Sequence, residues 1–284
     1  MDQLLQLAIK ASEAACKEIL DVYNSGDFQT EAKGDNSPLT LADKKAHDVI
    51  ATLLRSSNLP ILSEEGRHIP YEERKQWEKF WMVDPLDGTK EFLKRNGEFT
   101  VNIALIENQT PVMGVVAIPV TGDVFYAQQG SGAFVKRFGQ VIPLAKRSAF
   151  DLKKSGVRVV ASRSHMSEET QAFIQSLSEP TLVSQGSSLK FMLLAEGKAD
   201  VYPRFAPTME WDTAAAHAVV NEAGISVLQK NSSIPLLYKE NTDSINRACC
   251  IAVVCCYFFA VFFYMQQTFY PRSAQIPIIM NRPS

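Results

Sequence analysis

Apolar residues near the N-terminus recur with the period of an α-helix. They stand three or four positions apart through residues 1–23 and again through 42–58, which predicts two amphipathic helices. Thr40 is suited to cap the second helix, and Asp43 would then stand at its third position, as in a capping box. Capping alone would account for Asp43, so a chemical role for this residue stays open on pattern alone.

Short apolar runs bounded by turn residues predict a largely antiparallel sheet in the first half of the chain. The runs at 60–63 and 80–83 lead into acids, at Glu64 and at Asp84 respectively. Residues 67–79, between them, are polar and suit a surface loop or a short helix. The remaining predicted strands are 99–106, 112–119, 123–127 and 133–135.

Farther along the chain, apolar runs of strand length alternate with runs of helix length, which is typical of an α/β unit. The predicted strands are 157–161, 181–184, 199–202 and 225–228, and the predicted helices are 167–177, 188–196 and 212–223. We therefore predict an N-terminal α+β domain at 1–150 and a C-terminal α/β domain at 151–238. A tail of different composition follows at 239–284.

Composition narrows the classes of protein that this pattern allows. The chain has 284 residues, 46% of them hydrophobic, and its net charge of −2 gives no basic surplus for binding nucleic acid. Asp2 and the helical pattern behind it do not fit a signal peptide. Cys16 is the single cysteine before Cys249, which argues against a disulfide framework and favours a reducing compartment. We therefore expect a cytoplasmic protein.

The segment 84–89, Asp-Pro-Leu-Asp-Gly-Thr, carries the clearest chemical signal. Its proline fixes one backbone dihedral and its glycine permits a tight turn. The segment can therefore aim Asp84, the Leu86 carbonyl and Asp87 at one point. Oxygen ligands of this kind suit Mg²⁺.

Three further acids are candidates to complete such a site. Glu64 and Glu65 end the preceding strand, and Glu64 meets Asp84 if the two strands are neighbours. Asp212 stands at the predicted start of a helix, where it would act either as a ligand or only as an N-terminal cap. Several carboxylates brought together repel one another unless cations neutralise them, as two metal ions would.

Longer stretches resemble the signatures of a known family. Residues 81–92 are similar to the first signature of the lithium-sensitive inositol monophosphatase superfamily, and 211–217 to its second. Three shorter stretches resemble the 3′(2′),5′-bisphosphate nucleotidases of the CysQ type: 162–165, 186–190, and 202–204 leading to 208–210. The resemblance covers roughly residues 1–238. It implies a layered αβαβα sandwich of the sugar-phosphatase type, in the α+β or α/β class.

Carried over residue by residue, the resemblance implies two or three Mg²⁺ ions. The first ion would be held by Glu64, Asp84 and the carbonyl of Leu86. The second would be held by Asp84, Asp87 and Asp212. A third and weaker ion would bind through waters.

The resemblance also implies roles in the reaction. Thr89 and Asp43 would orient the attacking water, with Asp43 as the proton acceptor, and Glu65 would support this group. The reacting phosphate would lie over the metals and the amides of Gly88 and Thr89.

A nucleotide site on the second domain is implied in the same way. Lys190 and Arg204 would hold the second phosphate, and residues 186–188 with His165 would line the ribose and base pocket. The alternatives are a helix cap for Ser187, a turn for His165, and solvated surface charge for the two cations. The full predicted substrate-binding set is Glu64, Leu86, Asp87, Gly88, Thr89, His165, Gly186, Ser187, Ser188, Lys190, Arg204 and Asp212.

The expected activity is removal of a phosphate from a small nucleotide. The predicted substrate is adenosine 3′,5′-bisphosphate, converted to AMP and phosphate, with 3′-phosphoadenylyl sulfate as a second substrate. One alternative is an inositol phosphate phosphatase on the same scaffold. Another is a membrane-tethered binding protein without catalysis.

The tail departs from the family pattern. Residues 248–265 carry no charge and are long enough to cross a membrane, and Arg247 and Arg272 flank them. Three interpretations stay open: a membrane anchor, a substitute core strand or helix, and an altered terminus. Loss of the family's final strand would expose a sheet edge and apolar surface.

Overall fold

The structure, a computed structural model, describes most of the chain up to Tyr238 and two short segments beyond it. The described residues are 2–32, 38–148, 151–161, 166–229, 232–238, 245–246 and 250–253. The predicted pocket residue His165 and the stretch 254–265 of the uncharged run lie outside them.

The helices follow the apolar periodicity closely. The predicted capping box at the start of the second helix is confirmed, with both of its hydrogen bonds present between Thr40 and Asp43. The short helix that begins at Thr89 was not predicted. The helices are α1 (Gln3–Ser25), α2 (Leu41–Leu54), α3 (Tyr71–Arg74), α4 (Thr89–Leu93), α5 (Glu168–Gln175), α6 (Leu189–Ala195) and α7 (Ala214–Glu222).

The strands form one larger and one smaller sheet, with two short pairs beside them. The first half contributes β1 (Glu31–Ala32), β2 (Pro38–Leu39), β3 (Ile61–Ser63), β4 (Lys79–Asp87), β5 (Thr100–Glu107), β6 (Thr110–Ile118), β7 (Asp123–Gln128), β8 (Gly132–Arg137) and β9 (Gln140–Pro143). The second half contributes β10 (Arg158–Ala161), β11 (Thr181–Ser184), β12 (Val201–Pro203), β13 (Thr208–Met209), β14 (Ser226–Gln229), β15 (Ile245–Asn246) and β16 (Cys250–Val253).

The larger sheet has the strand order β3-β4-β5-β6-β7-β8-β9. Strands β3 and β4 are parallel and the other neighbours are antiparallel, as the sequence predicts for most of this sheet. Strand β4 runs farther than the apolar pattern indicates, because it continues to Asp87 through a register shift between Asp84 and Asp87. That irregularity brings the acidic segment to the end of the sheet instead of into a free loop.

The sheets and helices are stacked in five layers. Helices α1 and α2 cover one face of the larger sheet, and α6 and α7 lie between its other face and the smaller sheet. Helix α5 covers the outer face of the smaller sheet. Neighbouring residues of a strand divide between the faces, so Trp81 packs with α1 and α2 whereas Phe80 packs with α7. The predicted αβαβα sandwich is confirmed.

Helix α7 lies unusually close to strand β6. A Cβ added at Gly114 would come 2.1 Å from the carbonyl oxygen of Ala215 and 2.8 Å from Cβ of Ala218. Only glycine permits this approach of helix to sheet. The contact fixes the height of α7 over the sheet, and residue Asp212 immediately precedes this helix.

The smaller sheet has the order β11-β10-β12-β16-β14, so part of the tail lies inside it. Strand β16 is antiparallel to both neighbours and fills the place between β12 and β14. Of the three interpretations of the uncharged run, a core strand is therefore confirmed for residues 250–253, which have a neighbouring strand on either side. Residues 245–246 and 250–253, which belong to the atypical tail at 239–284, thus pair with earlier strands. Among the described residues, no helix is long and apolar enough to span a membrane.

Candidate active site

The parallel pairing of β3 and β4 places the first two acids at one end of the larger sheet. Ser63 is opposite Val83, and the amide of Glu64 donates to the Val83 carbonyl at 3.1 Å. Glu64 and the buried Asp84 therefore follow neighbouring positions, as expected from the sequence. Glu65 lies in the turn directly after Glu64 and is half-buried.

Asp87 is held by residues that lie far from it in the chain. Its Oδ2 accepts hydrogen bonds from the hydroxyl of Ser187 and the amide of Ser188, both at 2.7 Å. The side-chain amide of Asn102 is 3.4 Å from the same oxygen. Ser187 therefore contacts the acidic segment, and the helix cap is Ser188, which makes no side-chain capping bond.

Asp43 combines the capping role with a contact to the acidic segment. Its Oδ2 accepts from the amide of Thr40 at 2.8 Å and also from the Thr40 hydroxyl. Its Oδ1 accepts from the hydroxyl of Thr89 at 3.2 Å. The two interpretations left open by the sequence are thus compatible, because the two oxygens of one buried carboxylate serve them separately.

Asp212 is not the cap of the helix that follows it. Helix α7 has Thr213 as its N-cap, and Asp212 turns back toward strand β13. Its Oδ2 accepts from the hydroxyl of Thr208 at 2.6 Å and from the amide of Met209 at 3.1 Å. Its carbonyl accepts from the Ser188 hydroxyl at 2.8 Å. The cap interpretation is therefore wrong, since other donors hold this carboxylate in place.

The acids are close enough to disturb one another's ionisation. Burial raises the pKa of Asp84 well above its ordinary value, and the charges of Glu64, Asp87 and Asp212 raise it further. Burial, followed by the charge of Asp87, raises the pKa of Asp212 to about 7. Several ionised carboxylates in one buried place are costly, and a divalent cation between them offsets that cost.

The donor set of the site consists of carboxylate and carbonyl oxygens, which suit a hard cation. Among the described residues, no group of three or more acidic, histidine or cysteine side chains is arranged to hold a metal ion. Oδ2 of Asp87 and Oδ2 of Asp212 each accept hydrogen bonds from a hydroxyl and from a backbone amide. These bonds do not involve Oδ1 of either residue. The all-oxygen chemistry and the mutual repulsion fit Mg²⁺.

A cavity of about 290 Å³ opens beside these acids. Asp87, Asp212, Lys190 and Arg204 are all in its wall. Its lining comes from both halves of the chain and comprises Asp87, Gly88, Lys90, Glu91, Lys94, Gly186, Ser187, Lys190, Phe191, Tyr202, Arg204, Thr208, Asp212 and Thr213.

Lys190 is a buried cation and not a solvated surface charge. Its ammonium donates to the Ser187 carbonyl at 2.6 Å and lies 5.7 Å from the ring centre of Tyr202. Burial lowers the pKa of Lys190 to about 8. Arg204 donates to the carbonyl of Pro207 at 3.2 Å, and its charge acts on both Lys190 and Asp212.

Two residues of strand β5 belong to the site and were missed by the sequence analysis. Thr100 and Asn102 are buried polar residues in a strand whose other residues, apart from Glu107 at its end, are apolar. Thr100 lies 2.6 Å from the Ser187 hydroxyl, and Asn102 donates to the Ser188 hydroxyl at 3.0 Å. The signal was available: the two polar residues alternate with apolar ones, so they share one face of the strand.

The chain matches known proteins over most of its length. The model of the inositol monophosphatase family matches residues 1–249. The 3′(2′),5′-bisphosphate nucleotidase CysQ of Salmonella typhimurium is 46% identical over 230 residues, which cover 80% of this chain and 89% of the relative. The protein of the same name from Haemophilus influenzae is 33% identical over 250 residues, covering 87% and 90%.

Solved structures agree with these matches. The crystal structure of CysQ from Bacteroides thetaiotaomicron, a bacterial member of the family, has a TM-score of 0.77 and 43% sequence identity. It covers 88% of this chain and 97% of that one. An inositol monophosphatase from Thermotoga maritima shares the fold, with a TM-score of 0.73 at 22% identity, covering 93% and 97%.

The layered fold and the acid-lined cavity define a phosphatase. The chain belongs to the inositol monophosphatase family. Members of this family are generally Mg²⁺-dependent. The expected class of enzyme is thereby confirmed.

Proposed function

We propose that this chain is a Mg²⁺-dependent 3′(2′),5′-bisphosphate nucleotidase that converts adenosine 3′,5′-bisphosphate to AMP and phosphate. The observation that carries the proposal is a single cavity whose wall contains both the carboxylates Asp87 and Asp212 and the cations Lys190 and Arg204. A substrate with two phosphates can engage both groups at once. The names of the CysQ relatives support the same substrate class.

The acids would hold the metal ions. Glu64, Asp84 and the Leu86 carbonyl would bind the first, and Asp84, Asp87 and Asp212 the second. Bound Mg²⁺ supplies Lewis-acid polarisation of the phosphate and lowers the pKa of a water. The amides of the turn at 88–89 would donate to the phosphate oxygens.

Asp43 and Thr89 would handle the proton of the attacking water. The Thr89 hydroxyl donates its hydrogen to Asp43, so its oxygen lone pairs remain to accept a hydrogen bond from water. Thr40 holds the Asp43 carboxylate from the other side. This arrangement orients the water and gives its proton a path to Asp43.

Lys190 and Arg204 would select the nucleotide. Charged donors form strong hydrogen bonds with phosphate, and the burial of Lys190 excludes competing water. The phosphosulfate of 3′-phosphoadenylyl sulfate presents the same chemistry, so we propose it as a second substrate.

The test is a comparison of two substrates in two variants. In Lys190→Met we expect KM for adenosine 3′,5′-bisphosphate to rise roughly tenfold to a hundredfold, because a charged hydrogen bond is lost. Turnover of inositol 1-phosphate should not change in the same way. Lys10→Met, at an exposed position of α1, is the control.

The outcomes separate the alternatives. Faster turnover of inositol 1-phosphate than of the bisphosphate by the unaltered enzyme would favour the inositol phosphatase and refute the proposal. No Mg²⁺-dependent turnover of either by a folded sample would favour a binding protein without catalysis. Inhibition by Li⁺ would agree with the family resemblance.

A further inference from the structure

We name residues 187–188 the serine segment. It contacts Asp87 from the first half of the chain and Asp212 from the second half. The Ser187 hydroxyl and the Ser188 amide both donate to Oδ2 of Asp87 at 2.7 Å. The Ser188 hydroxyl donates to the carbonyl of Asp212 at 2.8 Å. The position of this segment therefore fixes the orientation of one proposed metal ligand and the backbone of another.

The same segment is bonded to the cation proposed for the second phosphate. Lys190 donates to the Ser187 carbonyl at 2.6 Å. A phosphate bound in the cavity competes for this ammonium group, because an anion is a stronger acceptor than a neutral carbonyl. If Lys190 turns to the phosphate, the Ser187 carbonyl loses its donor, and the serine segment loses one of the hydrogen bonds that keep it in place.

Strand β5 supplies the fixed support under the serine segment. The Thr100 hydroxyl lies 2.6 Å from that of Ser187 and 3.1 Å from Oδ1 of Asn102, and Asn102 donates to Ser188 at 3.0 Å. Both side chains are buried in the larger sheet. Ser187 itself has φ of +51°, an uncommon backbone conformation for serine that persists only where neighbours hold it.

We propose that Thr100 and Asn102 are positioning residues that hold the serine segment against Asp87 and thereby couple nucleotide binding at Lys190 to metal binding. This rests on the proposed function, because it takes the second phosphate to bind at Lys190. While Oδ2 of Asp87 accepts from Ser187, Ser188 and Asn102, the carboxylate is turned toward the segment. Binding of the second phosphate at Lys190 weakens these hydrogen bonds and lets the Asp87 carboxylate turn toward the metal. Nucleotide and metal then strengthen each other's binding by the same factor.

The experiment measures metal affinity with and without AMP, the product that keeps the second phosphate. Mn²⁺ stands in for Mg²⁺, and the EPR signal of the free ion reports binding without any turnover. In the unaltered protein we expect AMP to tighten Mn²⁺ binding roughly fivefold or more, within the usual range of such couplings. In Thr100→Val the factor should fall below about twofold, because the support of Ser187 is lost.

Two further variants guard the result against loss of folding. Ser187→Gly removes the hydroxyl and suits the positive φ, so it should lower the factor without strain. Thr170→Val removes another buried threonine hydroxyl, on α5, and should leave the factor unchanged.

The outcomes distinguish this inference from the proposed function. The same AMP effect in Thr100→Val and in the unaltered protein would overturn the coupling, while AMP binding would still support the nucleotide site. Failure of AMP to bind at all would overturn the proposed function, and the coupling with it.

Discussion

The burial of neighbouring carboxylates in the acidic site is unfavourable in the absence of a metal ion. Asp84 and Asp212 are buried among other carboxylates, and their pKa values are raised for that reason. Hydroxyl and amide donors around Asp87 and Asp212 reduce this cost without removing it. The site is therefore an unfavourable group of charges held in place by the fold, which is the condition that favours binding of a divalent cation.

Asp87→Asn should separate the metal-binding role of Asp87 from its structural role. We expect turnover to fall on the order of a hundredfold or more, because the metal ion loses one negatively charged ligand. The amide oxygen can still accept from Ser187 and Ser188, so the fold should persist. The melting temperature in EDTA should stay equal or rise, since one repelling charge is removed. Asp21→Asn, at an exposed position of α1, is the control, and undiminished activity in Asp87→Asn would contradict the site.

Asp212 should give the metal-free protein a distinctive pH dependence. In the unfolded chain its pKa is about 4, whereas in the folded protein it is about 7. Between these values the folded protein binds more protons than the unfolded chain. The contribution of Asp212 to the free energy of unfolding in EDTA should therefore fall as pH rises from about 5 to about 7. Asp84, whose pKa is also raised, acts in the same direction. Buried His217, whose pKa burial lowers to about 3, contributes in the opposite direction, so the effect of Asp212 is measured as the difference from a variant that lacks it.

Thermal unfolding in EDTA across this pH range measures the effect. Asp212→Asn should lack the fall that Asp212 contributes, because the amide does not titrate. Asp200 offers the comparison, since Arg158 holds the pKa of Asp200 below its ordinary value and that group stays ionised throughout. The same pH dependence in the unaltered protein and in Asp212→Asn would contradict the assignment.

At the scale of elements, the sequence indicates most helices and strands because their burial is local and periodic. It does not indicate β9, an edge strand exposed at every position, because nothing there alternates. The sequence also does not indicate the contacts of Thr100 and Asn102, for another reason. Their partners Ser187 and Ser188 are 87 and 86 residues away, and no local pattern shows which distant loop covers a strand.

The contact of α7 with β6 predicts a strong effect for one added methyl group. In Gly114→Ala the new Cβ would overlap the Ala215 carbonyl, a backbone atom that cannot rotate away. We expect a loss of about 1–3 kcal/mol in the free energy of unfolding and weaker metal binding, as α7 shifts and carries Asp212 with it. Urea unfolding and Mn²⁺ titration measure the two effects.

Gly26→Ala is the matched control for this glycine. Gly26 has φ of +75° but open space around its Cβ position, so the change costs only the backbone preference, roughly 1 kcal/mol. Its metal affinity should be unchanged, since the C-cap of α1 is not part of the site. Equal metal affinity in Gly114→Ala and Gly26→Ala would show that α7 does not position Asp212.

At the scale of the whole molecule, the site exists because two halves of the chain meet. The ends of β3 and β4 bring Glu64, Asp84 and Asp87, and the second half brings Asp212 and the serine segment. The sequence pattern already indicated the four acids, and the family resemblance added the serine segment. Only the structure shows that the Asp212 carboxylate accepts hydrogen bonds from β13 and does not cap its own helix. The domain boundary near residue 150 stays a prediction.

The smaller sheet is completed by the uncharged tail, and this gives a prediction for the whole second half. Ala252 lies opposite Tyr202 on one side and Val227 on the other. Strands flank Ala252 on both sides, so its backbone N–H donates a hydrogen bond to one of them. Proline lacks this N–H. Ala252→Pro should therefore lower the free energy of unfolding by about 1–3 kcal/mol from the unpaired carbonyl alone. Ala252→Ser keeps the N–H and should remain near the unaltered protein. Hydrogen exchange should rise in β12 and β14 of the proline variant and not in β5 or β6. Uniform stability in all three proteins would mean that β16 does not hold the sheet together.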